Sequence, residues 1–111
     1  MQIVFQTPKL KKIFNERKSL DQTYGSDMAN RISKHLVRLR DAANLEEFRT
    51  LPQGRCHELK GDRAGQLALD LVHPHRLIFE PANTPRPTKS DGGLDWQQVT
   101  SIRIIEVDDY H

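Results

Sequence analysis

Three side chains able to move protons stand side by side at the end of the sequence, in Asp109, Tyr110 and His111. They supply a carboxylate, a phenol and an imidazole, and an imidazole ordinarily changes its protonation state near neutral pH. Terminal residues often fray, but here the apolar run IRIIEV over residues 102–107 leads directly into them. The order of residues therefore predicts acid–base groups held at the end of a β-strand.

Cations that could bind an anion occur at two places upstream of these groups. Lys60 and Arg63 lie in a short segment, residues 59–65, that also contains two glycines, and glycine allows a tight turn and the close approach of a ligand. In such a turn Lys60 offers a point charge and Arg63 a planar fork to a phosphate. Arg76 alternates with apolar neighbours in a strand pattern, so its side chain is predicted to point away from their core.

Further cations, including Lys9 and Lys12, lie in the first predicted helix with a single glutamate among them. Two interpretations are open. Surface helices are routinely charged, so these lysines fit a solvated outer face. They also fit a patch that faces the phosphates of a nucleic acid.

Helix signals occupy the first half of the chain, after a short predicted strand over residues 3–5. Thr7 followed by Pro8 predicts the start of a first helix, with threonine as its cap and proline at its first position. A glycine ends that helix, and Ser26 is the predicted cap of the next one. Apolar residues then recur every three or four positions over residues 28–43, which predicts a long amphipathic helix antiparallel to the first.

Strand signals dominate the second half. Asn44 and Glu47 first predict a capping box that opens one further helical turn. The period then changes to two, and residues 67–80 are predicted to form a β-hairpin. These elements together predict an α+β fold, in which a small twisted, mainly antiparallel sheet packs against an N-terminal helical hairpin.

The last predicted strand, residues 100–107, has apolar side chains on both faces, a pattern that favours a central strand. Simple alternation assigns Ile102 and Ile104 to one face. The same alternation assigns Ile105 and Val107 to the other face.

Length and composition indicate one soluble domain over residues 1–111, with 36% hydrophobic and 29% charged residues. The net charge of +2 permits nucleic-acid binding without requiring it. Cys56 is the single cysteine, which excludes an internal disulfide and fits a reducing compartment. We interpret it as a small apolar side chain rather than a nucleophile. Neither a signal peptide nor a membrane-spanning run is recognisable, so a cytoplasmic protein without a membrane partner is predicted.

A long loop is predicted over residues 81–98, and it contains the only tryptophan, Trp96. We interpret Trp96 as an anchor folded onto the domain, ahead of a base-stacking role.

Three motifs follow one another in this short chain: LKGDRAG from residue 59, RLIF from residue 76 and VDDYH from residue 107. In this order they resemble the HigB group of RelE/ParE-type bacterial toxins, the plasmid maintenance system killer family, over residues 55–79 and 102–111. The resemblance implies a RelE-like fold and an endoribonuclease that cleaves mRNA on the ribosome without a metal or other cofactor. It also implies a cognate helix-turn-helix antitoxin of HigA type as a partner.

The resemblance further implies which residues act. The residues that match catalytic positions are Lys60, Asp109, Tyr110 and His111. Arg76 matches a position near the scissile phosphate. Apart from the resemblance, the charge and placement of Arg63, Lys9 and Lys12 predict that they also bind RNA or phosphate.

Cutting RNA through its own 2′-hydroxyl needs a base, an acid and cations that stabilise the phosphorane charge. His111 suits proton transfer in either direction, and Asp109 could act as the base or orient the imidazole. Tyr110 could stack on a base or donate to the phosphate. The division of acid and base roles between Asp109 and His111 is open.

The sequence also departs from the pattern of these toxins. Leu67 stands where they often have an aromatic residue, and His75 where they often have tryptophan. Asp70 occupies a position that is frequently basic or neutral, and could either repel RNA or pair with Arg76.

Two other functions fit the resemblance. Relatives of the ParE type inhibit DNA gyrase by binding it, without nuclease chemistry. A degenerate relative could act only as a binding partner of the antitoxin. The terminal acid–base groups and Lys60 favour the nuclease, because a binding inhibitor does not need groups that transfer protons.

Overall fold

The structure, a computed structural model, describes residues 1–52 and 54–109, which contain five strands and four helices. The strands are β1 (Gln2–Phe5), β2 (His57–Glu58), β3 (Leu67–Asp70), β4 (His75–Pro81) and β5 (Ser101–Asp109). The helices are α1 (Pro8–Asn15), α2 (Arg17–Tyr24), α3 (Ser26–Asp41) and α4 (Leu45–Arg49). None of these helices combines the length and the hydropathy that crossing a membrane requires.

The described strands form a sheet in the order β1-β5-β4-β3-β2. β1 pairs with β5 in parallel, and the other neighbouring strands are antiparallel. β5 therefore has a strand on each side, as its apolar faces predicted. Helices α1–α4 contribute buried side chains to one core with the sheet. This arrangement confirms the predicted α+β class with a mainly antiparallel sheet.

The helical half differs from its prediction in two details. The hydroxyl of Thr7 accepts a hydrogen bond from the Leu10 amide at 3.1 Å, so α1 begins as predicted. The first helix is then interrupted at Glu16, whose backbone is extended (φ −120°, ψ 117°), and α2 continues after it. Gly25, with a left-handed φ of +85°, caps α3, and the predicted cap Ser26 is its first helical residue. Helices α2 and α3 pack together as the predicted hairpin.

The short helix α4 starts at the predicted capping box. The Asn44 side chain accepts a hydrogen bond from the Glu47 amide at 2.8 Å. The Glu47 carboxylate in turn accepts one from the Ala43 amide at 3.2 Å, so backbone donors at the helix start are satisfied by side chains. The turn buries Leu45 and Phe48, which fixes the chain between the helices and the second half of the sheet.

Side chains of the central strands alternate between a core face, packed against the helices, and an outer face. The outer face carries Arg76 on β4 and Asp108 on β5, together with the buried Ala68 and Ile78. The core face is formed by fully buried apolar side chains: Leu67, Leu69, Leu77, Phe79, Ile102 and Ile104.

A β-bulge interrupts β5 at Ile105. Its neighbours Ile104 and Glu106 lie opposite Phe79 and Ile78 of β4, which leaves Ile105 as the extra residue. An extra residue reverses the alternation of all the side chains that follow it.

The reversal decides where the end of β5 points. Val107 lies opposite Leu77 and packs against the core, although simple alternation assigned it to the face opposite Ile104. That prediction is wrong because the bulge was not recognised. The same reversal sets Asp108 opposite Arg76 on the outer face.

His35 of α3 is a fully buried polar residue. Its Nε2 lies 3.0 Å from the carbonyl oxygen of Asp70, and because a carbonyl only accepts, Nε2 carries the hydrogen. Gly54 lies directly against the ring, since a Cβ there would be 2.6 Å from His35 Cε1. Within the described residues Nδ1 is buried without a hydrogen-bond partner. Burial lowers the pKa of His35, and the charges of Arg38 and Arg31 lower it further, against the opposing effects of Asp70.

A pH dependence of stability follows from this depressed pKa. Above the ordinary histidine pKa of 6.5, His35 is neutral in both folded and unfolded states and has no effect. As the pH falls below 6.5, the unfolded chain takes up the proton first, so the free energy of unfolding decreases until the folded pKa is reached.

We expect His35 to make the protein less stable at pH 5 than at pH 7. The measurement is urea denaturation at both pH values, compared with His35→Gln, which keeps an N–H donor for Asp70 but does not titrate. The variant should lose less stability on acidification than the wild type. Equal losses in the two proteins would show that His35 is not the sensitive group.

Candidate functional site

Asp108 holds Arg76 on the outer face of the sheet. Arg76 donates from Nε and Nη2 to one carboxylate oxygen of Asp108, at 3.1 and 3.0 Å. Only 15% of the Arg76 side chain and 23% of the Asp108 side chain are exposed. The pair therefore fixes the predicted phosphate-binding arginine in one orientation, next to the last residues of β5.

Arg63, in the turn between β2 and β3, contacts Asp108 and a second carboxylate of β5, that of Glu106. Its Nη2 donates to Glu106 at 2.6 Å and lies 3.7 Å from Asp108. Its Nη1 donates to the Gln66 side chain at 2.9 Å. Two arginines predicted from the sequence are thus brought together, and two carboxylates that the prediction passed over hold them.

The turn that carries Lys60 has the tight backbone that its glycines predicted. Residues Gly61–Arg63 form a 3₁₀ turn in which Gly61 has a φ of +64°, a conformation that glycine adopts without a Cβ clash. The Leu59 amide donates to the Gln66 carbonyl at 2.9 Å and closes the turn. Lys60 is exposed at the start of this turn, and the hydrogen bond from Arg63 to Glu106 links the turn to β5.

The terminal motif is only partly within the described chain. Asp109 is exposed at the end of β5, directly opposite His75 of β4. Tyr110 and His111 lie outside the described residues. Asp108 immediately precedes Asp109, so the Arg63 and Arg76 cluster lies beside the strand end that leads into the terminal motif.

A pocket of about 220 Å³ opens at this end of the sheet. Arg55 stands at its edge in a left-handed backbone conformation (φ +47°) that is uncommon outside glycine. Arg55 donates from Nε to the Asp70 carboxylate at 3.0 Å. Asp70 thus pairs with Arg55, and Arg76, its alternative predicted partner, donates to Asp108. The lining consists of Arg55, Asp70, Leu71, His73, Pro74, His75 and Arg76.

Sequence reasoning missed Arg55 and His75 as members of this group. Nothing in the local sequence distinguishes Arg55. His75 was predicted to lie in the turn before the strand that Arg76 opens, whereas it is the first residue of β4, and its position opposite Asp109 depends on the strand register. In residues 1–52 and 54–109, no three His, Cys, Asp or Glu side chains are arranged to hold a metal ion.

Lys9 and Lys12 are separate from this cluster. Both are exposed on α1, whose buried Phe14 packs into the core. Arg63 and Arg76 instead meet on the outer face of the sheet. The structure therefore does not bring the helix lysines together with the arginines, and the solvated-face interpretation accounts for their surroundings.

The surroundings of Cys56 and Trp96 fit the structural roles predicted for them, an apolar side chain and an anchor of the loop. Burial raises the pKa of the Cys56 thiol to about 12, so it stays protonated at neutral pH and is a poor nucleophile. Trp96 is buried, and its indole N–H donates to Glu58 at 3.2 Å. The Arg49 guanidinium lies 4.4 Å from the Trp96 ring centroid. These contacts anchor the loop to α4 and β2.

Comparisons with known proteins identify the fold. No family model and no curated protein matches the chain. A YoeB/ParE toxin from Agrobacterium tumefaciens matches with a TM-score of 0.59 and 15% identity, over 100% of both chains. A YoeB-YefM complex from Staphylococcus aureus matches with a TM-score of 0.55 and 17% identity, over 100% of this chain and 97% of that chain. A heterotetrameric YoeB-YefM toxin-antitoxin complex from the same organism gives 0.54 and 17%, with the same coverage. The chain therefore has the fold of YoeB/ParE-type toxins.

Proposed function

We propose that this protein is the toxin of a type II toxin–antitoxin system, an endoribonuclease that cleaves mRNA on the ribosome and so inhibits translation. The observation that carries the proposal is the convergence of Arg63 and Arg76 on Asp108, next to the strand end that leads into Asp109, Tyr110 and His111. The fold of YoeB/ParE-type toxins supports a toxin. The Lys60 turn and the closing VDDYH motif are the basis for the HigB type.

The proposed reaction uses the RNA's own 2′-hydroxyl as the nucleophile. The 2′ oxygen bonds to phosphorus, the bond from phosphorus to the 5′ oxygen breaks, and a 2′,3′-cyclic phosphate and a 5′-hydroxyl result. Asp109 and His111 are the proposed proton-transfer groups, Tyr110 contacts the base or phosphate, and Lys60 stabilises the phosphorane charge. The proposed chemistry uses no cofactor and acts in the cytoplasm.

The proposed partners are an antitoxin, the ribosome and mRNA. Solved structures of similar fold contain YoeB with the antitoxin YefM, which supports an antitoxin as partner. The HigB-type motifs favour a HigA-like, helix-turn-helix antitoxin encoded next to this gene. Co-expression of the adjacent reading frame should neutralise toxicity.

One observation favours a second candidate, a ParE-like protein that inhibits DNA gyrase by binding. Arg63 and Arg76 are already paired with Glu106 and Asp108, so a phosphate would have to share their guanidinium groups with carboxylates. Induction of the SOS response with intact mRNA would support this candidate. Discrete cuts within codons, mapped by primer extension, would support the nuclease.

Removing His111 alone, or replacing Lys60 by alanine, is expected to restore growth when the protein is expressed without antitoxin. Loss of one acid–base group or one charge-stabilising group lowers such reactions by about 10²–10⁴-fold. Primer extension on mRNA after induction measures the cleavage. Lys11→Ala removes another exposed lysine and should remain toxic. The site assignment is wrong if both the truncated protein and Lys60→Ala stay as toxic as this control.

A further inference from the structure

Two pockets meet at the turn between β3 and β4. The pocket of about 220 Å³ described above lies on one side of this turn. A second pocket, of about 310 Å³, lies on the other side, towards Tyr24 and the start of α3. His73 and His75 line both pockets. The two histidines therefore form the shared wall of a groove at the end of the sheet.

The backbone of His75 is hydrogen-bonded on both sides of the turn. Its amide donates to the Val72 carbonyl at 2.9 Å, and its carbonyl accepts from the Leu71 amide at 3.0 Å. Its Nδ1 is buried and has no hydrogen-bond partner among the described residues. The hydrogen bonds of its amide and carbonyl fix the backbone of His75 at the edge of both pockets, so the position of its imidazole in the groove is set by the β3–β4 turn.

The strand register sets a carboxylate beside this imidazole. His75 and Asp109 are direct partners in the antiparallel pairing of β4 and β5. Side chains of directly opposed residues point to the same face, with Cβ atoms about 5 Å apart. An imidazole and a carboxylate at this distance form the kind of pair that transfers protons in acid–base catalysis.

The first pocket adds the Arg55 guanidinium to the pair, and 73% of the Arg55 side chain is exposed. Arg76 also lines the pocket, while its guanidinium is held by Asp108 on the outer face of the sheet. The volume is below the range of roughly 300–1,000 Å³ that is usual for drug-sized ligands, so a single phosphate group fits its size better than a whole nucleotide. The other charged or titratable groups facing the groove are Asp70, His73, Tyr24 and Asp27.

We propose that the 220 Å³ pocket binds the scissile phosphodiester of single-stranded RNA, and that His75 is a catalytic acid–base residue there. The proposal rests on the nuclease function proposed above. In the cleavage one proton leaves the 2′-hydroxyl and one proton is delivered to the departing 5′ oxygen. His75 carries out one of these transfers and solvent water the other, so that no net proton is gained or lost.

Activity of two histidine variants tests the catalytic part. His75→Gln is expected to lower mRNA cleavage by about 10²–10⁴-fold, to abolish growth arrest and to remove one limb from the pH–rate profile on programmed ribosomes. The matched control is His57→Gln, since His57 lies on β2 and lines neither pocket; it should cleave within about threefold of wild type. Full toxicity of His75→Gln would overturn the catalytic role. An unchanged pH profile in a merely weakened variant would do the same.

Phosphate binding tests the pocket independently of any nuclease activity. Inorganic phosphate and uridine 3′-monophosphate are titrated into the full chain while NMR follows the His75 ring and, as an internal control, the Trp96 indole N–H. The His75 signals should shift and saturate, the Trp96 signal should not, and Arg55→Gln should weaken binding about tenfold while the matched Arg17→Gln does not. Absence of a saturable His75 shift would overturn the pocket. A saturable shift in a protein that cleaves no mRNA would retain the pocket and reject the proposed function.

Discussion

Replacing Asp108 by alanine is expected to lower the free energy of unfolding by about 2 kcal/mol and to abolish mRNA cleavage. Asp108 accepts two hydrogen bonds from Arg76 and lies 3.7 Å from Arg63. Its removal leaves a largely covered guanidinium without this carboxylate, and losing one member of such a pair costs more than the pair contributes. The cations then lose the orientation that the proposed phosphate chemistry needs.

Urea denaturation and primer extension after induction measure the two effects. Asp70→Ala is the matched control for stability, because the Arg55–Asp70 pair is 73% and 44% exposed and an exposed pair contributes less than about 1 kcal/mol. The double variant Arg76→Met with Asp108→Leu should recover most of the stability without recovering cleavage. Asp108 would not be the residue that holds the cluster if Asp108→Ala were as stable as the control.

Phe79→Ala is expected to destabilise the protein by about 4 kcal/mol. Phe79 is fully buried on β4, between β3 and β5, and packs in the core with the helices. Truncating it removes both its transfer free energy and the contacts of the residues that surround the resulting cavity. A loss of this size is a large fraction of the stability of an ordinary domain, which is about 5–15 kcal/mol.

The measurement is the midpoint of urea denaturation, compared between proteins that have the same m value. Val37→Ala is the matched control. Val37 is 55% exposed on α3, so its truncation should change the stability by less than about 0.5 kcal/mol. A loss below about 1 kcal/mol for Phe79→Ala would mean that the core is not packed around β4.

Local signals predicted much of this fold. Side-chain chemistry fixed the starts of α1 and α4, because Thr7 and Asn44 satisfy backbone donors within three residues. The period-two pattern found the β3–β4 hairpin and the last strand. The parallel pairing of β1 with β5 could not be predicted, since it joins segments about a hundred residues apart and neither carries a local mark of its partner. The break between α1 and α2 at Glu16 could not be predicted either, because no glycine or proline lies there.

For the ion pairs of Arg63 and Arg76, the sequence identified the arginine but not its carboxylate partner. Residue chemistry identified Arg63 and Arg76, but their partners Glu106 and Asp108 follow from the register of β5. That register depends on an extra residue at Ile105, which no turn residue marks. His75 was missed for the same reason, because its relation to Asp109 exists only once the two strands are aligned.

The bulge at Ile105 also divides β5 into two lengths with different neighbours. Before it, residues 101–104 pair with β1, and residues 102–104 also pair with β4. After it, residues 106–109 pair with β4 and carry the carboxylates of the candidate site. Because each length keeps its own alternation, mutations can alter the chemistry of the second without moving any side chain of the first out of the core. The bulge therefore separates the length of β5 that closes the core from the length that carries the carboxylates of the candidate site.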